Sequence, residues 1–332
     1  LKEYSGSLVY NVGMVIGYDS DHPSHSYGQG RNNASLCGLY PFTFDPRDLR
    51  LDITCVPYSY DEELNQTVAL GKSCVSGWNI GKWSKLYKNN LMTGSGDNTG
   101  INAIRMRYAD VLLMFAEVEN ELSGPTAAAK DALKTVRRRA FLPEDHAEMV
   151  EDYVDGLGTK EQFFQAIMDE RAWEFGGEGV RKYDLARWNK YGEVLVNLYN
   201  KFTDWGHRAN GLGVAGDVRD RVYWRELSNP GDPNHTYIEF KGLKEYGDNI
   251  GDHPASEGWV NVQNYAIQWY YLDQETGEWT IHDDVKWSFR GFINYNNAST
   301  VQPTDPVRYL CPYPVEVITS HRGSIQQQYG YQ

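Results

Sequence analysis

The feature that most constrains this chain is a change of hydrophobic period at residue 101. From there Met106, Ala109, Leu112, Leu113, Ala116 and Leu122 recur at helical spacing across RMRYADVLLMFAEVENEL, and Gly124 and Pro125 supply a stop and a restart. A second helix is expected from Thr126 to about Ala140, carrying Ala128, Ala132, Leu133 and Val136 on its apolar face. So short a connection makes the two antiparallel neighbours. A third helix opens at Thr159, with Gln162 completing a capping box, and ends near Phe175. A fourth runs from about Gly179 to Tyr199, with Gly176 and Gly177 between them. Residues 101–200 therefore read as a mainly α core of two stacked helical hairpins, whose faces need further helices to cover them.

The flanks read differently. Residues 1–100 form a loop-rich segment that opens with a period-2 strand, Leu8 to Tyr18. A polar stretch of Asp, Ser, His, Gly and Asn follows from 19 to 36, with Tyr27 set between Ser26 and Gly28. Residues 201–332 are again loop-rich, apart from WVNVQNYAIQWYYL and EWTIH, which read as strands joined by a five-residue turn ending in Gly277. The prolines at 303, 306, 312 and 314 bar a long helix from the tail.

Composition removes some functions and favours others. With 45 acidic against 32 basic residues the net charge is -13, which opposes phosphate backbones and anionic lipid faces, so nucleic acid is not an expected partner. No stretch of about 20 apolar residues is available for a membrane helix. Cys37, Cys55, Cys74 and Cys311 form no metal-type spacing and can pair in three ways or not at all. The aromatics are mainly those with a polar handle, 24 Tyr and 10 Trp against 11 Phe, which suits wet, stacked surfaces as well as loop-rich cores.

Several motifs carry a resemblance. RYADVLLMFAEVENEL, AKDALKTVRRRA and IMDERAWEFGGEGVRKYDLARW, with the tail RYLCPYPVEVITSHRGSIQQQYGYQ, resemble in order and spacing the C-terminal half of the SusD/RagB family of outer-membrane nutrient-binding lipoproteins. The first helical pair is similar to a tetratricopeptide hairpin. This resemblance implies a SusD-like fold of tetratricopeptide-like hairpins with loop-rich excursions and short β-hairpins. It also implies a surface-exposed lipoprotein that hands oligosaccharide to a TonB-dependent, SusC-like transporter; some relatives hold peptide instead. Family members are usually longer, so 1–332 is expected to be the C-terminal domain alone, tied to the membrane only through a lipid anchor outside it.

Two kinds of candidate chemistry remain. Glu170 and Glu174 lie one helical turn apart, a separation that a carbohydrate-active hydrolase could use. Arg171, Arg181, Asp184 and Arg187 nearby make a structural ion-pair network the better account, and such pairing lowers a carboxylate's pKa, the wrong direction for a general acid. There is no nucleophile elbow, P-loop or dinucleotide fingerprint, and no cofactor is expected beyond a structural calcium ion at Asp19 or Asp21. Asp283 and Asp284 beside His282 read as solvated turn residues. Glycan capture, by contrast, needs only stacking platforms and polar partners. The loop from Tyr18 to Tyr40 offers Tyr18, Tyr27 and Tyr40 as platforms, with His25, Arg31, Asn32 and Asn33 beside them. Trp78 and the pair Tyr58/Tyr60 come second, while Trp173 and Trp188 belong to the helical core. The rival readings are a hydrolase and a helical-repeat scaffold that binds only protein.

Overall fold

The structure, a computed structural model, describes residues 35–36, 40–56, 58–61, 66–69, 78–83, 104–209, 221–229, 232–241, 254–263, 270–281, 315–320 and 326. These fall into two compact units, one holding the described residues of 35–181 and 221–263, the other those of 182–209 and 270–326.

In the first unit the segment before the helices makes small pieces of structure. Strands β1 (Ser35–Leu36), β2 (Cys55–Val56) and β5 (Trp78–Ile80) form a three-stranded antiparallel sheet with β5 in the centre. Strands β3 (Tyr58–Asp61) and β4 (Gln66–Ala69) form a separate hairpin. One turn of helix, α1 (Arg50–Thr54), precedes β2.

The helical core follows the sequence expectation closely. Helix α2 (Tyr108–Ser123) ends where Gly124 takes φ 80°, its N–H bonding to the Asn120 carbonyl at 3.0 Å. After Pro125, Thr126 caps α3 (Ala127–Arg137) by accepting from the Ala129 N–H at 3.2 Å. A 3-10 turn prolongs α3 over Arg138–Ala140, and a wide π turn over Ala147–Asp152 leads into α4 (Tyr153–Asp155). Helix α5 (Lys160–Glu174) opens with the anticipated capping box between Thr159 and Gln162. Ala109, Leu113 and Ala116 of α2 pack with Ala129, Ala132, Leu133 and Val136 of α3 and with Phe163, Ala166 and Ile167 of α5. Here Met106 and Leu122 depart from expectation, since both are exposed: the buried face of α2 runs through Ala109, Leu113, Ala116 and Asn120.

The region expected to be loop beyond residue 200 contains a long hairpin in the first unit. Strands β6 (Arg221–Asn229) and β7 (Asp232–Lys241) pair antiparallel, and β8 (Val260–Gln263) lies on the other side of β6. In the second unit the expected fourth helix is two, α6 (Arg181–Arg187, entered from the first unit) and α7 (Tyr191–Ala209). They break at Asn189, whose φ of 55° no continuous helix accommodates. Strands β9 (Tyr270–Leu272) and β10 (Trp279–Ile281) form the expected hairpin, with Gly277 at φ 70° in its turn. The tail holds one short helix, α8 (Val315–Ser320).

Gly176 and Gly177 bring the segment before the helices against the end of α5. A Cβ on Gly176 would run into the Tyr40 hydroxyl, and one on Gly177, at φ 78°, into Ile80 Cγ2. Both space and backbone conformation therefore require glycine at 177. Gly177→Ala is expected to lower unfolding free energy by about 1–3 kcal/mol. Chemical denaturation would measure it, and an unchanged midpoint would show that this approach does not constrain the fold.

Candidate functional site

One buried face of α5 passes from apolar to acidic residues along the helix: Phe163, Ile167, Glu170 and Glu174 follow at steps of four, three and four. A carboxylate on such a face must find cations, and both do. Glu170, 1% exposed, lies between two guanidinium groups, accepting from Arg50 Nη1 at 2.6 Å and from Arg137 Nη1 at 2.8 Å. Glu174 accepts from the same Arg50 nitrogen at 3.0 Å and from Arg107 Nη1.

Each cation is in turn fixed by a second acid. Arg50 forks onto Asp48 through Nε at 2.9 Å and Nη2 at 2.7 Å. Arg107 forks onto Glu178 at 3.0 and 2.9 Å, and Lys82 reaches the same carboxylate at 2.9 Å. Asp48, Glu170, Glu174 and Glu178 thus balance Arg50, Lys82, Arg107 and Arg137, with the largely exposed Arg139 a looser neighbour of Glu174 at 3.9 Å. Arg137 also donates through Nε to the Met149 carbonyl of the π turn at 2.6 Å and lies over the Tyr153 ring at 4.0 Å. Burial raises the Glu174 carboxyl, but Arg107 and Arg50 outweigh that and hold it below the usual carboxylate range.

Glu170 and Glu174 are ion-paired, and Arg50, Arg107 and Arg137 are their partners. Arg181 donates to the Met168 carbonyl at 2.8 Å, Arg171 pairs with Asp110 at 2.7 Å, and Arg187 pairs with Asp184 within one helix at 3.0 Å. The cations that serve Glu170 and Glu174 come from far away in sequence. None of them is named by the sequence reading; Arg137 alone carries a signal that could find it, because it lies one turn beyond Leu133 on the buried face of α3, where a charge demands a partner. Arg50 lies in a stretch without helical periodicity and Arg107 at the N-cap of α2, ahead of its buried face, so neither gave such a signal.

Of the expected ligand residues, Tyr18, His25, Tyr27, Arg31, Asn32 and Asn33 lie outside the described residues, as do Asp19, Asp21, Asp283 and Asp284. Tyr40 is described, and its contacts are inward: the hydroxyl donates to the Ala172 carbonyl at 2.6 Å and the ring meets Phe44 edge-on at 5.1 Å. This corrects its assignment as a platform, since hydroxyl and ring edge both anchor the segment to α5. Trp78 opens the central strand of the three-stranded sheet, and Tyr58 and Tyr60 lie on β3 opposite Ala69 and Thr67. Trp173 is only half-buried, its indole N–H donating to the Thr43 carbonyl at 3.1 Å, and Trp188 is half-buried beneath the Arg187 guanidinium at 4.5 Å. Among the described residues no group of three His, Cys, Asp or Glu side chains is arranged to hold a metal ion. No described helix is long and apolar enough to cross a membrane.

The SusD family model matches residues 58–331. The chain belongs to the SusD family. It is 40% identical over 119 residues to SusD-like protein P25 of Formosa agariphila, covering 36% of this chain and 21% of that protein. SusD-like protein P38 of the same organism is 36% identical over 141 residues, covering 42% of this chain and 24% of the relative. The chain thus spans well under half the length of these SusD relatives. Among solved structures, a SusD homolog from Bacteroides thetaiotaomicron aligns with a TM-score of 0.41 at 20% identity, covering 61% of this chain and 47% of that one. Surface glycan-binding protein A from the same organism, in complex with laminarihexaose, aligns with a TM-score of 0.38 at 20% identity, covering 57% and 38%.

Two outcomes follow for the charge network. Glu170→Ala leaves Arg50 and Arg137 without their shared anion and is expected to destabilise the fold by about 3–5 kcal/mol. Urea unfolding checks this, and a loss below about 1 kcal/mol would mean that water replaces the carboxylate. A carboxyl held below its ordinary value of 4.5 stabilises the folded state above that pH and loses this contribution as pH falls through the folded value. The melting temperature should therefore drop more steeply on acidification below about pH 4.5 in the parent chain than in Glu174→Gln. Parallel curves would contradict the assignment.

Proposed function

We propose that this protein captures glycan at a bacterial cell surface and passes it to a SusC-like, TonB-dependent outer-membrane transporter, by binding alone and without turnover. Membership of the SusD family across residues 58–331 is the observation that carries this reading. The locked carboxylates support it. Glu170 and Glu174, the pair best spaced for glycoside hydrolysis, each lie between two guanidinium groups, and Glu174 is held ionised where a general acid must keep its proton.

In this reading the helical core is a support and the loop-rich segment before it faces the ligand. Tyr18 and Tyr27 serve as stacking platforms and His25, Arg31, Asn32 and Asn33 as polar partners, with Trp78 a further platform. A net charge of -13 favours neutral glycans over polyanionic ones, because like charges would otherwise have to meet. Laminarihexaose, held by one structural neighbour, is the first probe to use.

Affinity electrophoresis in neutral polysaccharide gels should retard the protein. Tyr27→Ala should weaken the retardation while leaving the melting temperature unchanged, and laminarihexaose incubated with the protein should remain intact. Hydrolysis that disappears on changing Glu174 would replace capture by catalysis. Retardation unaffected by Tyr27→Ala would move the ligand surface elsewhere.

A further inference from the structure

Helix α5 ends on carbonyl groups that a helix cannot satisfy by itself, and the segment before the helices supplies donors for them. The Tyr40 hydroxyl donates to the Ala172 carbonyl at 2.6 Å, and Lys82 Nζ donates to the Glu174 carbonyl at 2.5 Å. Across the same seam the Trp173 indole N–H donates to the Thr43 carbonyl at 3.1 Å, and the Leu49 N–H donates to the Ala140 carbonyl at 2.9 Å. Arg50 and Lys82 also stand where the negative end of the α5 dipole favours cations. Arg47 adds exposed pairs to Asp145 and Glu148, which water screens. Apolar packing across the seam is slight: Phe44 meets Trp173 with ring centroids 6.3 Å apart, and Ile80 lies against Gly177. Among the described residues, the apolar cluster that joins α2, α3 and α5 takes no member from residues 35–83. The seam is therefore polar, and the helices have a core without it.

Pairing of β2 with β5 sets Cys55 opposite Ile80 and Val56 opposite Asn79, so the arm that carries Arg50 and the arm that carries Lys82 are tied into one unit. Charge divides at the seam. On the segment, Asp48 stands with Arg50 and Lys82, an excess of one cation; on the helical side, Glu170, Glu174 and Glu178 stand with Arg107 and Arg137, an excess of one anion. The other cations nearby do not alter this balance: Arg139 is 68% exposed, Arg171 pairs with Asp110, and Arg181 donates to the Met168 carbonyl. Opening the seam would leave each side largely paired. Arg50 would depart with its fork onto Asp48, while Arg107 would keep Glu174 and Glu178 and Arg137 would keep Glu170. A proton taken up by one carboxylate on the helical side cancels the excess that attracts the segment. Burial raises the Glu174 carboxyl, but Arg107 and Arg50 hold it below 4.5 in the closed arrangement. Solvated in an open one, it returns towards its ordinary value and binds a proton more readily, so acid favours opening.

We propose that residues 40–56 and 78–83 form an acid-released strap over the C-terminal turn of α5, which detaches as a unit while α2, α3 and α5 stay folded. Cys55, on β2 within the strap and 1% exposed, reports its release. The chain would be pulsed with a dithiodipyridine, which modifies thiols in acid as well as at neutral pH, from about pH 7 to about pH 3. Mass spectrometry would read modification of the Cys55 peptide against an unstructured thiol peptide under the same conditions, with amide exchange in α2, α3 and α5 followed in parallel. Below about pH 4.5 the relative modification rate of Cys55 should rise about tenfold or more while those amides stay protected. Glu174→Gln, neutral at every pH, should already react about tenfold faster than the parent at about pH 7 and rise less on acidification. Cys55 that stays protected until the helix amides exchange with it would overturn the strap, because segment and helices would then open together. Equal modification across the pH range, or no effect of Glu174→Gln, would overturn its fastening by charge.

Discussion

Glu170 held between Arg50 and Arg137 is the contact on which the rest of the described fold depends. A carboxylate with 1% exposure has surrendered nearly all its water, and only two well-placed guanidinium groups compensate for that loss. Those groups come from different parts of the chain, Arg50 from the segment before the helices and Arg137 from the end of α3. Neither can be satisfied by local structure alone. The pairing therefore forces three distant pieces of sequence into one arrangement, and the neighbouring clasp of Arg107 and Lys82 on Glu178 repeats the device just beyond the end of α5.

The same network separates support from function. Tyr40, Arg50, Ile80 and Lys82 all bring the loop-rich segment against the last turn of α5 and the Gly176–Gly177 step beyond it. Side chains committed there hold the segment against the helical core. A cleaving enzyme would need one carboxyl held protonated; here the surrounding cations drive Glu174 the other way. Capture by an aromatic, polar surface on a rigid helical base needs no such group.

Much of the helical core was legible because period, caps and breakers agreed: Thr126, Thr159 with Gln162, and Gly124 each mark the boundary they occupy. Four things were not. Asn189 breaks the fourth helix by a backbone conformation that its neighbours do not announce. The hairpin of β6 and β7 lacks the clean alternation of a one-sided sheet and was hidden among polar residues. On α2, periodicity alone could not say which of two apolar faces is buried, so Met106 and Leu122 were assigned to the wrong side. The acidic half of the charge network is visible in ERAWEF, whereas of its cationic half only Arg137 carries a local signal, on the buried face of α3; Arg50, Lys82 and Arg107 are long-range partners that leave no mark on local spacing.

A double-mutant cycle on Arg137 and Glu170 addresses the central claim directly, since it isolates the energy of their pairing from the other contacts of each residue. Stability would be measured by urea unfolding for Arg137→Met, Glu170→Gln and the double variant. If the buried pair organises the fold, the coupling should be favourable by about 1–3 kcal/mol. Additive losses, with coupling near zero, would mean that the two side chains are neighbours without being partners, and the fold would have to rest on its apolar contacts alone.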